Sequence, residues 1–367
     1  MTRNEMKSAI AKFKSADVSI IKDDTLRAKA QKLQAKQQGF TLLELLVVIT
    51  LIATLATAGL VAYEGLGENA QDAAAAKNII FSESSTRNFR AVENQYPNQW
   101  DNLANLDGTV DGTNAVITAG TEPTGAVSLL AEPTQAAFGQ WVVATATATD
   151  TWNAVAAAFN EVGINELQTL QATSTFLAGN VPNLAFNESN PGADADPADE
   201  FEFAADGSAE YDNTAVTTFG LSIMPSGGPA GTCTADGVDI STSFDGTAPA
   251  NSAALNLIND NLDDDGCHLV AALGFGKDVP GTTSGSRVSF SQVPTAGTDD
   301  INPANNYARL IALYHLGSAD EDGTTPTDVT AADIFENPRL IGFVDAEGRN
   351  LDQVIAAANE SDLADND

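Results

Sequence analysis

The sequence predicts an α+β protein in which a long N-terminal helix packs on a mostly antiparallel β-sheet head with helical insertions. Three observations predict this fold. One apolar run, Phe40 to Tyr63, stands out from the 367 residues of the chain; a helix-period pattern follows it directly; and the remainder alternates β-rich runs with turns rich in Asn, Asp, Gly and Pro.

The run FTLLELLVVITLIATLATAGLVAY contains a single charge, Glu44. A helix of that length, rising about 1.5 Å per residue, crosses a hydrocarbon core of about 30 Å. Residues 1–39 carry nine Lys/Arg against four acids, a surplus of +5, so the rest of a chain whose formal charge is −33 carries −38. A basic segment ahead of the apolar run keeps residues 1–39 in the cytoplasm and sends the C-terminal mass across a membrane, as a single-pass protein. A secretory signal has a shorter apolar core and a small-residue cleavage site beyond it. Here the Gly39–Phe40 bond precedes the apolar run, so cutting there retains the helix.

The acidic body argues against nucleic acid as an electrostatic partner, because phosphate binding needs clustered Lys/Arg. Beyond residue 40 the lysines are Lys77 and Lys277, and six arginines are scattered. Two readings of the acidity stay open: a solvated, repulsive surface suited to a saline exterior, or cation binding.

Gly39-Phe40-Thr41-Leu42-Leu43-Glu44, continuing through Ile49, resembles the class III signal of type IV prepilins and type II secretion pseudopilins. The resemblance implies that prepilin peptidase, a membrane-embedded aspartyl enzyme, cleaves after Gly39 and N-methylates Phe40. Glu44 then matches the family's acidic residue at the fifth mature position. The chemistry of the residues points the same way. A carboxylate in lipid costs roughly 2.5–3.5 kcal/mol and needs a partner. Cleavage creates one in the cationic Phe40 amine, which a neighbouring subunit offset by one step brings to Glu44. Such a head-to-tail contact does not close on itself and generates a helical filament.

The implied partners are copies of the chain or related pilins, prepilin peptidase, an inner-membrane assembly platform and the membrane itself. The expected location is the inner membrane before assembly, head outside the cytoplasm, and then a cell-surface or periplasmic filament. The sequence departs from the family in its long leader and in Val61, which stands where many pilins have a kinking Pro; Gly59 is the alternative source of flexibility.

The expected organisation is a removed leader over 1–39, a transmembrane and assembly helix over 40–64, an amphipathic extension over 65–96 and an exported acidic head over 97–367. An acidic, Pro-bearing stretch near 187–200 is the best internal boundary. Ala74, Phe81, Phe89 and Val92 mark the apolar face of the extension, which Tyr96-Pro97 ends. In the head, strands are expected at 138–147, 215–224, 287–293 and 340–345. Helices are expected from Asp150 or Thr151 through Phe159, near 166–176, and at 252–262, 305–316, 328–335 and 352–359.

Cys233 and Cys267, the only cysteines in an exported part, read as one disulfide. Asn261-x-Asp263-x-Asp265-Gly266, with Asp260 beside it, matches the first half of a calcium loop, but Ala272 replaces the closing Glu. Calcium and a solvated acidic turn both remain open there; no other cofactor is expected. His268 and His315 lack zinc-ligand spacing, and neither a nucleophile elbow nor a phosphate loop is present, so no enzyme is read. Trp100, Trp141 and Trp152 read as core, with an adhesive aromatic surface as the alternative. The function expected is a structural filament subunit, pilin or pseudopilin; the alternative is a minor pilin that acts as an adhesin or ligand-binding module.

Overall fold

A computed structural model of the chain describes residues 3–35, 42–104, 130–144, 150–169, 200–211, 214–215, 218–226, 233–246, 266–276, 301, 306–319 and 328–364. It is α+β and divides into two compact units, Met1–Glu64 and Gly65–Asp367.

The first unit holds α1 (Arg3–Ser15), a 3₁₀ turn at Val18–Ile20, α2 (Asp24–Ala35) and the start of α3, which runs Leu42–Glu93. Asp17 starts the 3₁₀ turn by accepting the Ser19 amide (2.9 Å), and Asp23 caps α2 by accepting the Thr25 amide (2.9 Å) and hydroxyl (2.7 Å). These hydrogen bonds lower the pKa of both carboxyl groups below the usual range. In α3 the 19 residues Leu42–Leu60 have a mean hydropathy of 2.2, and none of them is buried.

The second unit begins with the rest of α3, which the sequence pattern placed on the wrong side chains. The buried positions are Ala75, Ala76, Ile79, Ser82, Ser85 and Thr86, while Phe81 and Val92 are about half exposed. Ala75, Ala76 and Ile79 join the hydrophobic core of the head, and the Ser82 hydroxyl is satisfied on its own helix by the Asn78 carbonyl at 2.7 Å. The helix stops at Glu93, ahead of Tyr96-Pro97, because Asn94 takes a left-handed conformation (φ 59°) that Asn tolerates as a helix end.

The head's strands are β1 (Trp100–Asn102), β2 (Gly139–Ala144), β3 (Glu166–Thr169), β4 (Glu200–Phe203), β5 (Ala209–Tyr211), β6 (Thr214–Ala215) and β7 (Thr218–Met224). They continue with β8 (Thr234–Ala235), β9 (Val238–Asp239), β10 (Cys267–Gly274), β11 (Ile311–Ala319), β12 (Asp328–Val329) and β13 (Ile334–Val344). The main sheet runs β13-β11-β10-β1-β3-β4-β5-β6, and β10 also pairs β7, which pairs β2. Its pairs are antiparallel except β1–β3. A small sheet, β12-β8-β9, stands apart. Helices α4 (Glu132–Ala137), α5 (Asp150–Glu161) and α6 (Leu351–Ala364) complete the described elements. In α5 the buried Trp152, Val155, Ala156 and Phe159 repeat at helical spacing.

Three expected helices are corrected. Residues 311–316 of the expected 305–316 helix belong to β11, which is buried almost throughout between β10 and β13. A strand covered on both faces reads as a continuous apolar run, which periodicity cannot separate from a buried helix. The 166–176 segment begins as β3, and 328–335 is β12, a 3₁₀ turn at Ala331–Asp333 and the start of β13. Pro338 lies inside β13, tolerated because β13 is the edge of the sheet. The expected 252–262 helix, the 287–293 strand and residues 187–199 of the internal boundary lie outside the described residues.

A buried ion pair joins the centre of the sheet. Arg309, 1% exposed, donates through one guanidinium nitrogen to Asp101 Oδ2 (2.8 Å) and to the Phe275 carbonyl (2.7 Å), and the Tyr307 hydroxyl donates to the same Asp101 oxygen at 3.0 Å. Gly274 makes room: a Cβ there would fall 1.8 Å from the Tyr307 hydroxyl oxygen. Removing Asp101 leaves Arg309 charged and buried without its carboxylate, a loss of about 3–5 kcal/mol. Denaturant unfolding of the Asp101→Ala variant should show a loss of that size, and Asp101→Ala/Arg309→Met should recover part of it.

Candidate functional site

The sequence-derived processing residues Gly39 and Phe40 lie outside the described residues; Glu44 lies inside them, in the first turn of α3, with an exposed side chain. A carboxylate is favoured there by the helix dipole, whose positive end collects the unpaired amides of the first turn. Beyond Glu44 no charge occurs before Glu64. The remaining polar side chains close on their own helix: Thr50 donates to the Val47 carbonyl (2.9 Å), Thr54 to Leu51 (2.9 Å) and Thr57 to Thr54 (2.9 Å) and Ala53 (3.2 Å). Every hydroxyl in Leu42–Leu60 is thereby satisfied without water, which a hydrocarbon environment demands. Among the described residues this is the one helix long and apolar enough to cross a membrane.

Residues 34–60 match the prokaryotic N-terminal methylation motif. The chain carries a type IV pilin-like signature. The match spans the end of the basic leader, the Gly39–Phe40 bond, Glu44 and the apolar helix as far as Leu60, so the expectation from the residues and the motif coincide. No curated protein and no solved structure matched the chain.

Elsewhere the structure sorts the other residues singled out by the sequence. Cys233 and Cys267 are joined, with Cα atoms 5.5 Å apart and 34 positions of chain between them. The link ties the small sheet's entry to β10. Asp260, Asn261, Asp263 and Asp265 lie outside the described residues; among those described, no three His, Cys, Asp or Glu side chains are grouped to hold a metal ion. Trp100, Trp141 and Trp152 are fully buried. Each indole N–H donates to a backbone carbonyl, of Pro97, Ala235 and Gly207 respectively, at 2.7–3.0 Å. An adhesive surface built on these rings is therefore excluded.

His268 and His315 stand on adjacent strands, β10 and β11, neither on a helix. A bulge at Leu269/Val270 brings their rings to 5.2 Å, and the His315 ring also meets Phe335 edge-on at 4.8 Å. Burial, reinforced by His268 and Arg339 and opposed by a hydrogen bond to the Gly317 backbone, lowers the pKa of His315 from 6.5 to about 4. This is a packed, neutral imidazole rather than a proton-transfer pair.

Sequence reasoning missed the Asp101–Tyr307–Arg309 cluster and the helices of residues 3–35. A lone arginine inside the apolar stretch NYARLIALYHL was a signal for the first. Asp17-x-Ser19 and Asp23-x-Thr25, both cap patterns, were signals for the second.

The His315 shift sets a pH dependence. Its unfolded form takes up a proton below about pH 6.5, whereas the folded form resists until about pH 4. Folding stability is therefore intact above pH 6.5 and falls as the pH drops through that window, by on the order of 3 kcal/mol for this group. In unfolding measured between pH 7 and about pH 4, His315→Gln should flatten that part of the profile. An unchanged slope would show that other groups govern it.

Proposed function

We propose that the chain is the precursor of a structural subunit of a type IV pilus-like filament, of the pilin or pseudopilin kind. The observation that carries this reading is the coincidence of the N-terminal methylation motif with the uncovered apolar helix Leu42–Leu60. Residues 1–39 act as the cytoplasmic leader, 40–64 as the membrane and assembly helix, 65–96 as its extension and 97–367 as the exported head. Prepilin peptidase hydrolyses the bond after Gly39, and the new Phe40 amine is methylated but keeps its positive charge.

In the bilayer the precursor is held as a single-pass protein. On assembly the Phe40 amine of one subunit meets the Glu44 carboxylate of another, so each charge leaves the hydrocarbon paired. The interaction points head to tail and repeats without closing, which yields a filament. The Cys233–Cys267 bridge suits a head exported to an oxidising compartment. Burial of all three tryptophans removes the aromatic surface that an adhesive minor subunit would have used.

Two substitutions test this reading. Gly39→Ala should leave most of the chain in the membrane as the longer precursor, resolved from the mature form by gel mobility after co-expression with a prepilin peptidase. Full processing of that variant would place the cleavage elsewhere. Glu44→Leu makes the helix cheaper to insert by roughly 2.5–3.5 kcal/mol, yet removes the partner of the incoming amine. The variant should be processed and membrane-bound but largely absent from sheared filaments. A normal filament yield would take Glu44 out of the assembly step.

A further inference from the structure

The leader is folded, and its folding leaves apolar side chains uncovered. Gln34 Nε2 donates to the Phe13 (2.7 Å) and Ala16 (3.1 Å) carbonyls, drawing the C-terminal ends of α1 and α2 together through polar contacts. The apolar residues do not close on each other: Met6 is 51% exposed, Phe13 39%, Leu26 55% and Leu33 57%. Met6 and Phe13 are seven residues apart on α1, and Leu26 and Leu33 seven apart on α2, so each pair shares one face of its helix.

Charge is segregated in the same pair of helices. Asp17, Asp23 and Asp24 all sit in or beside the bend, where the first two are occupied in capping backbone amides and Asp24 pairs with Arg27 at 3.1 Å. From Met6 to Ala16 and from Thr25 to Leu43 the sequence contains no acid. Lys7, Lys22, Lys29 and Lys32 are exposed. Lys29 lies three residues after Leu26 and four before Leu33, within the same apolar face, and Lys7 adjoins Met6. Lysines beside an exposed apolar stripe can bury their stems in an interface while the ammonium groups meet anionic headgroups.

Chain length fixes where that interface is. Seven residue steps separate Ala35 from Leu42, the first residue of the apolar helix, so the end of α2 lies within roughly 25 Å of the start of the span. We propose that the leader is an interfacial module: before processing, α1 and α2 lie on the cytoplasmic leaflet, Met6, Phe13, Leu26 and Leu33 entering the headgroup–acyl boundary and the lysines binding anionic phospholipid. Basic clusters immediately cytoplasmic of a membrane helix gain this attraction from anionic lipid, and it acts only within a Debye length of the surface. This inference rests on Leu42–Leu60 spanning a bilayer.

The test uses the full-length precursor with Phe13→Cys carrying a polarity-sensitive dye, the native disulfide left oxidised. It is reconstituted into nanodiscs of phosphatidylcholine alone or of an equimolar phosphatidylcholine–phosphatidylglycerol mixture. In the anionic discs, the dye should shift to the blue and its quenching by acrylamide should fall at least about twofold relative to the neutral discs. Lys7→Gln/Lys22→Gln/Lys29→Gln/Lys32→Gln should abolish the difference, as should molar salt, which shortens the Debye length to about 3 Å. Equal, strong quenching in both discs overturns the proposal and leaves the basic face to a protein partner. Equal protection in both overturns it in favour of packing without lipid charge. A precursor that fails to enter either disc overturns the span itself and the filament reading with it, a result distinct from the other two.

Discussion

An exposed apolar helix governs everything else in this molecule. Most of the leucines, isoleucines and valines of Leu42–Leu60 are more than half exposed, and none of them is buried. Burying such a surface is worth about 25 cal/mol per Å², so water is not a stable surrounding for it. On the proposed reading, lipid satisfies it before assembly and neighbouring copies of the same helix satisfy it in a filament. The three threonines that turn their hydroxyls back onto the helix belong to the same constraint, since neither surrounding supplies hydrogen bonds. Glu44 is the exception that gives the helix a direction, because its charge can be neutralised only at one end.

The head solves a different problem. With 40 acids against five Lys/Arg in residues 97–367, a formal charge of −35, it must hold a compact core against self-repulsion. It does so with rings and a few directional links. Trp152 meets Phe219 at 4.6 Å and Phe203 at 5.5 Å, and Trp100 meets Tyr314 at 5.5 Å. The Arg309–Asp101 pair joins residues 208 apart in sequence, and the disulfide closes a 34-residue separation next to β10. On the chain-entropy account a loop of that size contributes roughly 3–4 kcal/mol. Among the described residues, the acids that the head buries are Asp101 and Asp345, each paired with an arginine.

How much of this was legible depended on whether a residue's role was local. The motif around Gly39, Phe40 and Glu44 was legible in full because its meaning lies in fixed spacing beside a long apolar run. The disulfide followed from there being two cysteines, and α5 from an amphipathic period with a cap. What failed was tertiary. β11 reads as a helix because burial on both faces erases the alternation that marks a strand. The apolar face of the extension was read from Ala74, Phe81, Phe89 and Val92, whereas the buried positions beside Ile79 carry small side chains, Ala75, Ala76 and Ser82 among them. Asp101 and Arg309 are ordinary residues in sequence, and only the fold brings them to 2.8 Å.

The claim on which the account stands is that the apolar helix survives maturation at the head of the chain. Intact-mass analysis of the protein recovered from sheared filaments tests it most directly. The account predicts a single species beginning at Phe40 and heavier by one methyl group, with Cys233 and Cys267 still joined. A mature chain beginning beyond residue 60 would show that the apolar run is a discarded signal, and would contradict it.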